Sequence, residues 1–298
     1  MEVGLRHLTC FVAVAQERTL ARAARRLHVS QPAVSKTLSD LERLAGRQLV
    51  ERGRAGTRLT PDGEEFLRYA TEATRAVEAA TVALSPGRTA TSPVLCVACL
   101  HTAAGGLLAQ AIARLRARRP DARVSVRVSH NPELLAALKS GEVDLAVGRM
   151  AEPGMMRGVS FELLYAESLA VVARPGHALL GRKAVTPGDL LGYPLVIPEA
   201  GTAPRLQAEG IFAASGAWLE AGYTETQSSS LGRSLTALCD AIWITPRRAV
   251  QLDLDNGWLA ALPVPVPAGA EPVGLLTRSA DGPGELGSEL AGIVRELA

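Results

Sequence analysis

The sequence predicts an α+β protein in three parts: an N-terminal winged helix-turn-helix, a long linker helix and a C-terminal domain of two α/β lobes. Apolar residues recur at helical spacing through residues 1–60 and 61–87, whereas strand-like and helical runs alternate over residues 92–298. With 298 residues, the chain is long enough for two or three separate cores. We therefore expect the domain boundaries close to these three ranges.

Charge is concentrated at the N-terminus. The net charge is only +2, but residues 1–60 contain 11 Lys and Arg against 5 Asp and Glu. Such a basic segment favours a polyanionic partner for that segment alone, although a solvated basic face would produce the same imbalance. The sequence shows neither 18 consecutive apolar residues nor a signal-peptide pattern, and it predicts a cytoplasmic protein with no membrane partner.

The four cysteines do not indicate a metal or redox centre. Cys96 and Cys99 form a C-x-x-C pair, but they lie in the apolar run PVLCVACL, which is typical of a strand. Residues three apart on a strand point to opposite faces, and no second Cys or His pair completes a zinc site. We therefore interpret Cys96 and Cys99 as buried structural thiols, and we expect no metal and no cofactor.

Three helices are predicted at the start of the chain. Leu5, Leu8 and Phe11 mark the apolar face of the first helix, and Thr19 is a suitable N-cap for the second, LARAARRLHV. Ser30 is a suitable N-cap for the third, QPAVSKTLSDLERL. Two helices joined by such a short turn, the second polar on its outer face, indicate a helix-turn-helix.

The third helix has a polar outer face that suits DNA recognition. Gln and Lys side chains read base edges in the major groove, and a helix N-terminus binds phosphate. The following run, LVERGRAGTRLTPDG, predicts two strands around a Gly-rich basic tip, which is the pattern of a wing. Arginines on such a tip suit the phosphate backbone or the minor groove, and a purely structural three-helix bundle is the alternative. The residues expected to contact DNA are Ser30, Gln31, Pro32, Ser35, Lys36, Ser39, Arg52, Arg54 and Arg58.

The run AARRLHVSQPAVSKTLSDLERLAGRQLVERGRAGTRLTPDG closely resembles the signature of LysR-type transcriptional regulators. The matching positions are Ala23, Ala24, Leu27, Ser30 to Ser35, Leu41, Glu42, Gly46, Leu49, Arg52, Leu59, Thr60 and Gly63. The sequence departs from the signature at Ala45 and Val50, where the family usually has Leu and Phe, and we expect thinner packing under the wing. The resemblance implies binding to a double-stranded DNA operator.

Residues 61–87 predict one long helix that pairs with a second copy of itself. Apolar or small residues recur along it in steps of three and four, which is a heptad stripe. The stripe consists of Leu67, Ala70, Thr74, Val77, Thr81 and Leu84. A homodimer would present two recognition helices to DNA, whereas packing of the helix on its own domain is the alternative. The resemblance implies that homotetramers also occur.

Residues 92–298 predict two α/β lobes. The strand-like runs VLCVACL, VSVRVS and DLAVG alternate with helices in the first lobe, and LAVVAR, PLVIP, GYTETQ and AIWITP do so in the second. VGLLTR and an amphipathic tail helix are expected to return to the first lobe. This order resembles the LysR effector domain, which is periplasmic-binding-protein-like. It places lobe I at about 92–165 and 268–298 and lobe II at about 166–267.

The resemblance also implies a small-molecule effector bound between the lobes, at strand carboxyl ends and helix N-termini. The ligand contacts of the family can be transferred to this sequence by position, and Arg205 is added because it lies three residues after Thr202. The expected effector contacts are Thr102, Asn131, Pro198, Thr202, Arg205 and Ser229. For each Thr, Asn or Ser, an ordinary helix cap is an equally good interpretation. His130 is interpreted as a surface or capping residue.

We hypothesise that the inducer is a small carboxylated metabolite. Thr102 and Asn131 can each donate to an anionic oxygen beside helix-end N–H groups, and Arg205 can pair with a carboxylate. The body most resembles the regulators of protocatechuate catabolism and of a galactose-binding protein, notably in LAVGRM and GVSFELLYAESLAVVARPGHALL.

The predicted function is a ligand-responsive, sequence-specific transcription regulator that acts as a homo-oligomer, with RNA polymerase as a further candidate partner. A small-molecule binding protein without a DNA role is the alternative, and a secretion signal would favour it. An enzyme is not expected, because the sequence contains no G-x-S-x-G, H-E-x-x-H, Walker or convincing Rossmann fingerprint.

Overall fold

The computed structural model consists of a helical head with a two-stranded wing, followed by two five-stranded sheets with helices around them. The structure describes residues 2–53, 56–83, 94–217, 219, 222–266, 271–280 and 282–298. Within these ranges, no helix is both long enough and apolar enough to cross a membrane.

Three helices, a β-hairpin and the start of a fourth helix form the head. Their bounds are α1 Leu5–Glu17, α2 Leu20–Arg26, α3 Gln31–Ala45, β1 Val50–Gly53, β2 Gly56–Leu59 and α4 Pro61–Ala83. The inward face predicted for α3, formed by Val34, Leu38 and Leu41, is buried in one apolar cluster with residues of α1 and α2. β1 and β2 pair antiparallel, which gives the wing its two strands.

The first two positions of the predicted dimer stripe belong to the head itself. Leu67 and Ala70 are buried in the same cluster as the residues of α1 and α3. The neighbouring Phe66 packs edge-to-face on Phe11, with ring centroids 5.2 Å apart. These two positions are therefore not available to a second chain. At Leu67 and Ala70 the helix packs on its own domain, which was the alternative to dimerisation.

The later stripe positions differ in exposure. Thr74 is half-buried, while Val77 and Thr81 are exposed. The hydroxyl of Thr81 donates to the carbonyl of Val77, so it is engaged within the helix. Leu84 lies outside the described residues.

The first lobe is built on a sheet that contains β3 Val94–Cys99, β4 Arg123–Val128, β5 Leu145–Arg149, β6 Val159–Glu167 and β12 Glu271–Arg278. Its helical segments are α5 His101–Ala103, the π-helical Ala104–Leu108, α6 Ala109–Arg118, α7 Asn131–Lys139 and α12 Gly284–Leu297. The strand order is β4-β3-β5-β12-β6. β3 runs parallel to β4 and β5, whereas β12 runs antiparallel to both of its neighbours.

The second lobe is built on a sheet that contains β7 Leu169–Ala173, β8 Leu195–Ile197, β9 Tyr223–Glu225, β10 Ile242–Pro246 and β11 Ala260–Ala261. Its helical segments are the 3₁₀ turns Ala178–Gly181 and Arg247–Val250, α8 Pro187–Leu190, α9 Ala203–Ala213, α10 Ser229–Leu238 and α11 Gln251–Asp255. The strand order is β11-β7-β10-β8-β9, with β8, β9 and β10 parallel.

The chain changes sheets at Ser168, between β6 and β7, and it returns with β12. Apolar clusters cover both faces of each sheet, which explains why most of these strands are continuous apolar runs. β6 has no counterpart in the strands predicted from the sequence. Several of its nine residues are exposed, so it is not a continuous buried run, and buried and exposed residues do not alternate along it. It therefore fits neither of the two sequence patterns by which strands are predicted.

Two smaller expectations are corrected by burial. Cys99 is buried, and burial raises the pKa of its thiol to about 12, but Cys96 is partly exposed. The interpretation as a buried thiol is therefore right for Cys99 alone. Val50 is buried in the head as expected, whereas Ala45 is exposed and has no part in the packing under the wing.

Candidate DNA-binding surface and ligand cleft

The start of α3 is fixed by the turn that precedes it. His28 adopts the left-handed conformation, with φ of 54°, and the chain then enters α3 with Ser30 as the N-cap. The Ser30 hydroxyl accepts a hydrogen bond from the N–H of Ala33 at 3.4 Å. Pro32 stands in the first turn, where its missing N–H costs little. Gln31 and Pro32 are exposed, so the first turn of α3 is open to a partner.

Backbone contacts hold the wing against the head. The N–H of Thr57 donates to the carbonyl of Arg18 at 2.8 Å, and a Cβ atom at Gly56 would lie 2.5 Å from the same oxygen. A Cβ atom at Gly63 would lie 2.1 Å from the carbonyl oxygen of Leu49. Only glycine fits at such distances, and this accounts for the last residue of the L-T-x-x-G pattern.

The wing arginines have different environments. Arg52 donates from Nη1 to the Ser35 hydroxyl at 3.2 Å and from Nη2 to the Ser39 hydroxyl at 3.4 Å. Arg58 is exposed on β2, while Arg54 lies outside the described residues. Three of the residues predicted to contact DNA are thus bonded to one another. Lys36, in contrast, is exposed on α3.

A cavity of about 530 Å³ lies between the two lobes. The carboxyl ends of β3, β4 and β5 border it on one side, and those of β8, β9 and β10 border it on the other. This is where open α/β sheets bind ligands, and the volume suits a small metabolite. Five of the six predicted effector residues line the cavity, namely Thr102, Asn131, Pro198, Thr202 and Ser229.

Two hydroxyl groups in the cavity wall have no hydrogen-bond partner within the described residues. They are the buried Oγ1 of Thr102 and the buried Oγ of Ser129, which follow β3 and β4. A buried polar group without a partner costs about 1–3 kcal/mol, so a ligand that bonds to both hydroxyls is favoured. Ser129 was not predicted, although the strand-end rule that selects Thr102 would also have selected it.

Asn131 and Thr202 are engaged with the backbone. Asn131 accepts the N–H of Arg149 at 2.8 Å and donates to the carbonyl of the same residue at 3.1 Å. The Thr202 hydroxyl accepts the N–H of Arg205 at 3.3 Å and donates to the carbonyl of Glu199 at 2.7 Å. Thr202 is therefore a helix cap, and the amide of Asn131 clamps α7 to β5. These bonds use the Asn131 amide that was expected to donate to a ligand.

Arg205 does not line the cleft. It is only 7% exposed, and its guanidinium pairs with Glu225 at 2.5 Å and with Glu209 at 2.7 Å. Nη1 also donates to the carbonyl of Pro198 at 3.2 Å. Burial lowers the pKa of Arg205, but its bonds to the two carboxylates raise it by more. A ligand carboxylate would have to displace Glu225, so the structure does not place Arg205 where the sequence predicted it.

Among the described residues, Arg149 is the arginine that lines the cleft; it was not predicted as an effector residue, although it stands at the end of a strand. Its Nε lies 2.6 Å from the carboxylate of Glu271, which lines the cleft as well. Glu167, at the crossing between the sheets, is buried and accepts the N–H of Arg248 at 3.3 Å. Burial raises the pKa of Glu167 to about 7, against the lowering effect of Arg248 and Arg149.

A side-chain bridge joins the lobes across the cleft. Gln227, after β9, donates from Nε2 to the carboxylate of Glu199 at 2.8 Å and lies 3.3 Å from Nδ1 of His130, after β4. The ring of His101 stands 5.5 Å from that of His130, and burial, then His130, lowers the pKa of His101. Across the described residues, no group of three or more His, Cys, Asp or Glu is placed to hold a metal ion.

The comparisons with known proteins agree with this architecture. The family model for bacterial regulatory helix-turn-helix proteins of the lysR family matches residues 5–64, and the model for the LysR substrate binding domain matches residues 88–298. A full-length OxyR variant from Pseudomonas aeruginosa is similar in fold, with a TM-score of 0.65 over 100% of this chain and 96% of that one. The identity to it is 22%, so this likeness shows the fold alone. The predicted fold class is confirmed.

Two relatives are similar along nearly the whole sequence. The HTH-type transcriptional regulator YdcI of Escherichia coli is 44% identical over 93% of this chain and 90% of its own length. The HTH-type transcriptional regulator PcaQ of Agrobacterium fabrum is 36% identical over 99% of this chain and 95% of its own length. The chain therefore belongs to the LysR family, as a transcriptional regulator with a DNA-binding helix-turn-helix and an effector-binding domain.

Proposed function

We propose that this regulator binds a double-stranded operator through α3 and the wing, and that a small carboxylated ligand in the cleft controls this binding. The observation that carries the proposal is the pairing, in one chain, of an exposed, capped recognition helix with a cavity between two lobes. The proposed domains are residues 1–60, 61–87 and 92–298, with the lobes divided as expected from the sequence. We assign no catalytic step to the chain and place its action in the cytoplasm, where bacterial DNA lies.

For the operator, the proposed base-reading residues are Gln31 and Lys36, with Ser30 and the first turn of α3 on a phosphate. Gln31 and Lys36 are exposed and lie on the polar edge of α3. Duplexes selected from a random pool by the full-length protein would give the operator. Gln31→Ala is expected to lose about 1–3 kcal/mol of discrimination at one base pair. An unchanged base preference would remove Gln31 from the reading set.

Lys36 can be assigned by the salt dependence of binding. If it touches a phosphate, Lys36→Ala lowers the slope of log Kd against log salt by about one, with the base preference unchanged. If it reads a base, the preference shifts in a repeated selection. Failure of the wild-type protein to bind any duplex at low salt would contradict the operator itself.

For the ligand, the proposal of a carboxylate rests on what faces the cleft. The N-terminal ends of α7, α9 and α10 border the cavity, and each carries partial positive charge. The hydroxyls of Thr102 and Ser129, which have no partner among the described residues, add two donors, while Trp243 and Met150 form part of the apolar wall. A small acid with an apolar body fits this combination.

Calorimetry with the full-length protein tests the ligand class. The probes are a panel of aromatic acids and of their ring-cleavage products, with the corresponding neutral amides as controls. We expect binding of at least one acid, no binding of its amide, and a loss of about tenfold in affinity in Thr102→Val. A panel without binding would discard the carboxylate.

We further propose that the regulator works as a homodimer or homotetramer. Leu67 and Ala70 of the predicted stripe are buried in the head, so the contact with a second chain is proposed for exposed residues of α4. These are Tyr69, Ala76 and Val77. The edge strand β4 exposes Val126 and Val128 as well.

In such an oligomer, the bound ligand would favour one arrangement of the lobes. That arrangement would change the spacing between the paired heads on a bent operator. RNA polymerase is proposed as a further partner. Sedimentation of a monomer at micromolar concentration would contradict the oligomer.

A further inference from the structure

One face of α3 is occupied by side chains that hold the first wing strand. Ser35, Ser39 and Glu42 follow one another at spacings of four and three residues, so they share a helix face. Glu42 accepts the N–H groups of Leu49 and Val50 at 2.9 and 3.0 Å. β1 therefore starts against the C-terminal half of α3 and extends along the helix towards its N-terminal half.

Arg52 makes the second attachment of β1 to this face. Its two Nη atoms donate to the hydroxyls of Ser35 and Ser39 at 3.2 and 3.4 Å. Arg52 lies opposite Thr57 in the hairpin register, so the attachment bears on both strands of the wing. In the part of the chain that the structure describes, no carboxylate forms an ion pair with Arg52.

We propose that Arg52 is a positioning residue for DNA recognition, which sets the angle of the wing on α3 through Ser35 and Ser39 and does not neutralise a phosphate. The role rests on the proposed placement of α3 in the major groove. Ser35 and Ser39 then act as acceptors for Arg52 and are not base readers. The two wing strands and α3 meet DNA in the right relative geometry only while this attachment holds.

The two possible roles of Arg52 make opposite demands on the side chain. A phosphate contact needs a positive charge, and it contributes about 0.9 to the salt slope of binding. Arg52 reaches two hydroxyls one helical turn apart from two separate nitrogen atoms of a planar guanidinium, whereas lysine carries all its donors on one nitrogen at the end of a flexible chain. A lysine at this position therefore retains the charge and loses the attachment.

The test uses the full-length protein and an operator duplex selected from a random pool. Kd is measured over a series of salt concentrations for Arg52→Ala, Arg52→Lys, the double variant Ser35→Ala with Ser39→Ala, and the triple variant that combines the double with Arg52→Ala. We expect Arg52→Ala to bind about tenfold more weakly with an unchanged salt slope, and Arg52→Lys to bind equally weakly. The double variant should match them, and the triple variant should be no weaker, because all remove the same attachment.

Arg58 supplies the matched control, since it is an exposed arginine on the other wing strand. Arg58→Ala should lower the salt slope by about one if it touches phosphate, and Arg58→Lys should restore it. The role of Arg52 is overturned if Arg52→Ala lowers the salt slope and Arg52→Lys restores it. It is also overturned if the loss of affinity in the triple variant equals the loss in Arg52→Ala multiplied by the loss in the double variant. A wild-type protein that selects no duplex overturns DNA recognition and this role together, whereas normal binding by all Arg52 variants overturns this role alone.

Discussion

The recognition surface and the cleft differ in how their predicted residues are engaged. On α3, Gln31 and Lys36 are exposed as expected, and the helix reaches its position through its own caps and apolar face. In the cleft, Asn131 and Thr202 are already bonded to backbone atoms, and Arg205 is bonded to two glutamates. The exposed face of a helix follows from the local sequence. The polar groups that are available to a ligand, in contrast, depend on which of them the folded chain leaves without a hydrogen-bond partner.

The largest expected effect tests whether the head owes its recognition surface to its own core. Leu38, on the buried face of α3, is 1% exposed, and Leu38→Ala should lower the free energy of unfolding by about 2–5 kcal/mol through lost burial and the cavity that remains. Urea denaturation followed by circular dichroism measures the loss, and operator binding should fall with it. Leu238→Ala is the control, because that leucine is 83% exposed and its truncation should change stability little. An equal loss of unfolding free energy in both variants would show that α3 is not held in place by the core of the head.

The next effect concerns the lobe crossing beside the cleft. Burial raises the pKa of Glu167 to about 7, whereas the pKa of a glutamate in an unfolded chain is ~4.3. Below that lower pKa both states are protonated, so the contribution to stability is fully present. It is lost as the pH rises from the lower pKa through about 7, because the unfolded chain ionises first, and the total loss is about 4 kcal/mol.

Glu167→Gln should remove this loss. The difference in unfolding free energy between the variant and the wild-type protein is expected to move in favour of the variant by about 3 kcal/mol from pH 4.5 to pH 8. Urea denaturation at the two pH values measures it. Glu162→Gln, on the same strand, is the control, since the bond to Arg295 lowers the pKa of Glu162 and the trend should reverse. A difference that is independent of pH would mean that Glu167 titrates normally.

The sequence predicted the head almost completely because its signals are local. Caps such as Ser30 and apolar spacing such as that of Val34 and Leu38 lie within a few residues of what they determine. The stripe on α4 includes Leu67, which the structure packs into the core of the head. Periodicity shows which residues share a face, but it does not show whether that face packs on another chain or on α1.

The cleft could be predicted in place but only partly in chemistry. The rule that ligands bind at the carboxyl ends of parallel strands selected Thr102, which lines the cavity, and the same rule would also have selected Ser129 and Arg149. No local signal could reveal that Arg205 pairs with Glu225, which is 20 residues away in sequence. β6 was missed because its burial follows neither strand pattern.

Arg205 allows a third test, directed at the cleft side of the comparison. If it is structural, Arg205→Met should lower the unfolding free energy by about 2 kcal/mol, because Glu225 and Glu209 are left without their cation. The loss is smaller than for a fully buried pair, since both carboxylates can be hydrated. Arg182→Met is the control, because its pair with Asp189 is exposed and worth at most about 1 kcal/mol. Unchanged stability with a loss of acid binding would return Arg205 to the ligand site.

The smallest effect distinguishes an engaged hydroxyl from a free one within the same cleft. Replacing Thr by Val retains the shape of the side chain and removes only the hydroxyl. At Thr202 the change deletes the cap of α9 and should cost about 1 kcal/mol of unfolding free energy. At Thr102, whose hydroxyl has no partner in the described residues, the same change should be neutral or slightly stabilising. Thermal denaturation of the two variants side by side decides it, because equal losses would mean that the Thr102 hydroxyl is satisfied inside the protein and is not available to a ligand.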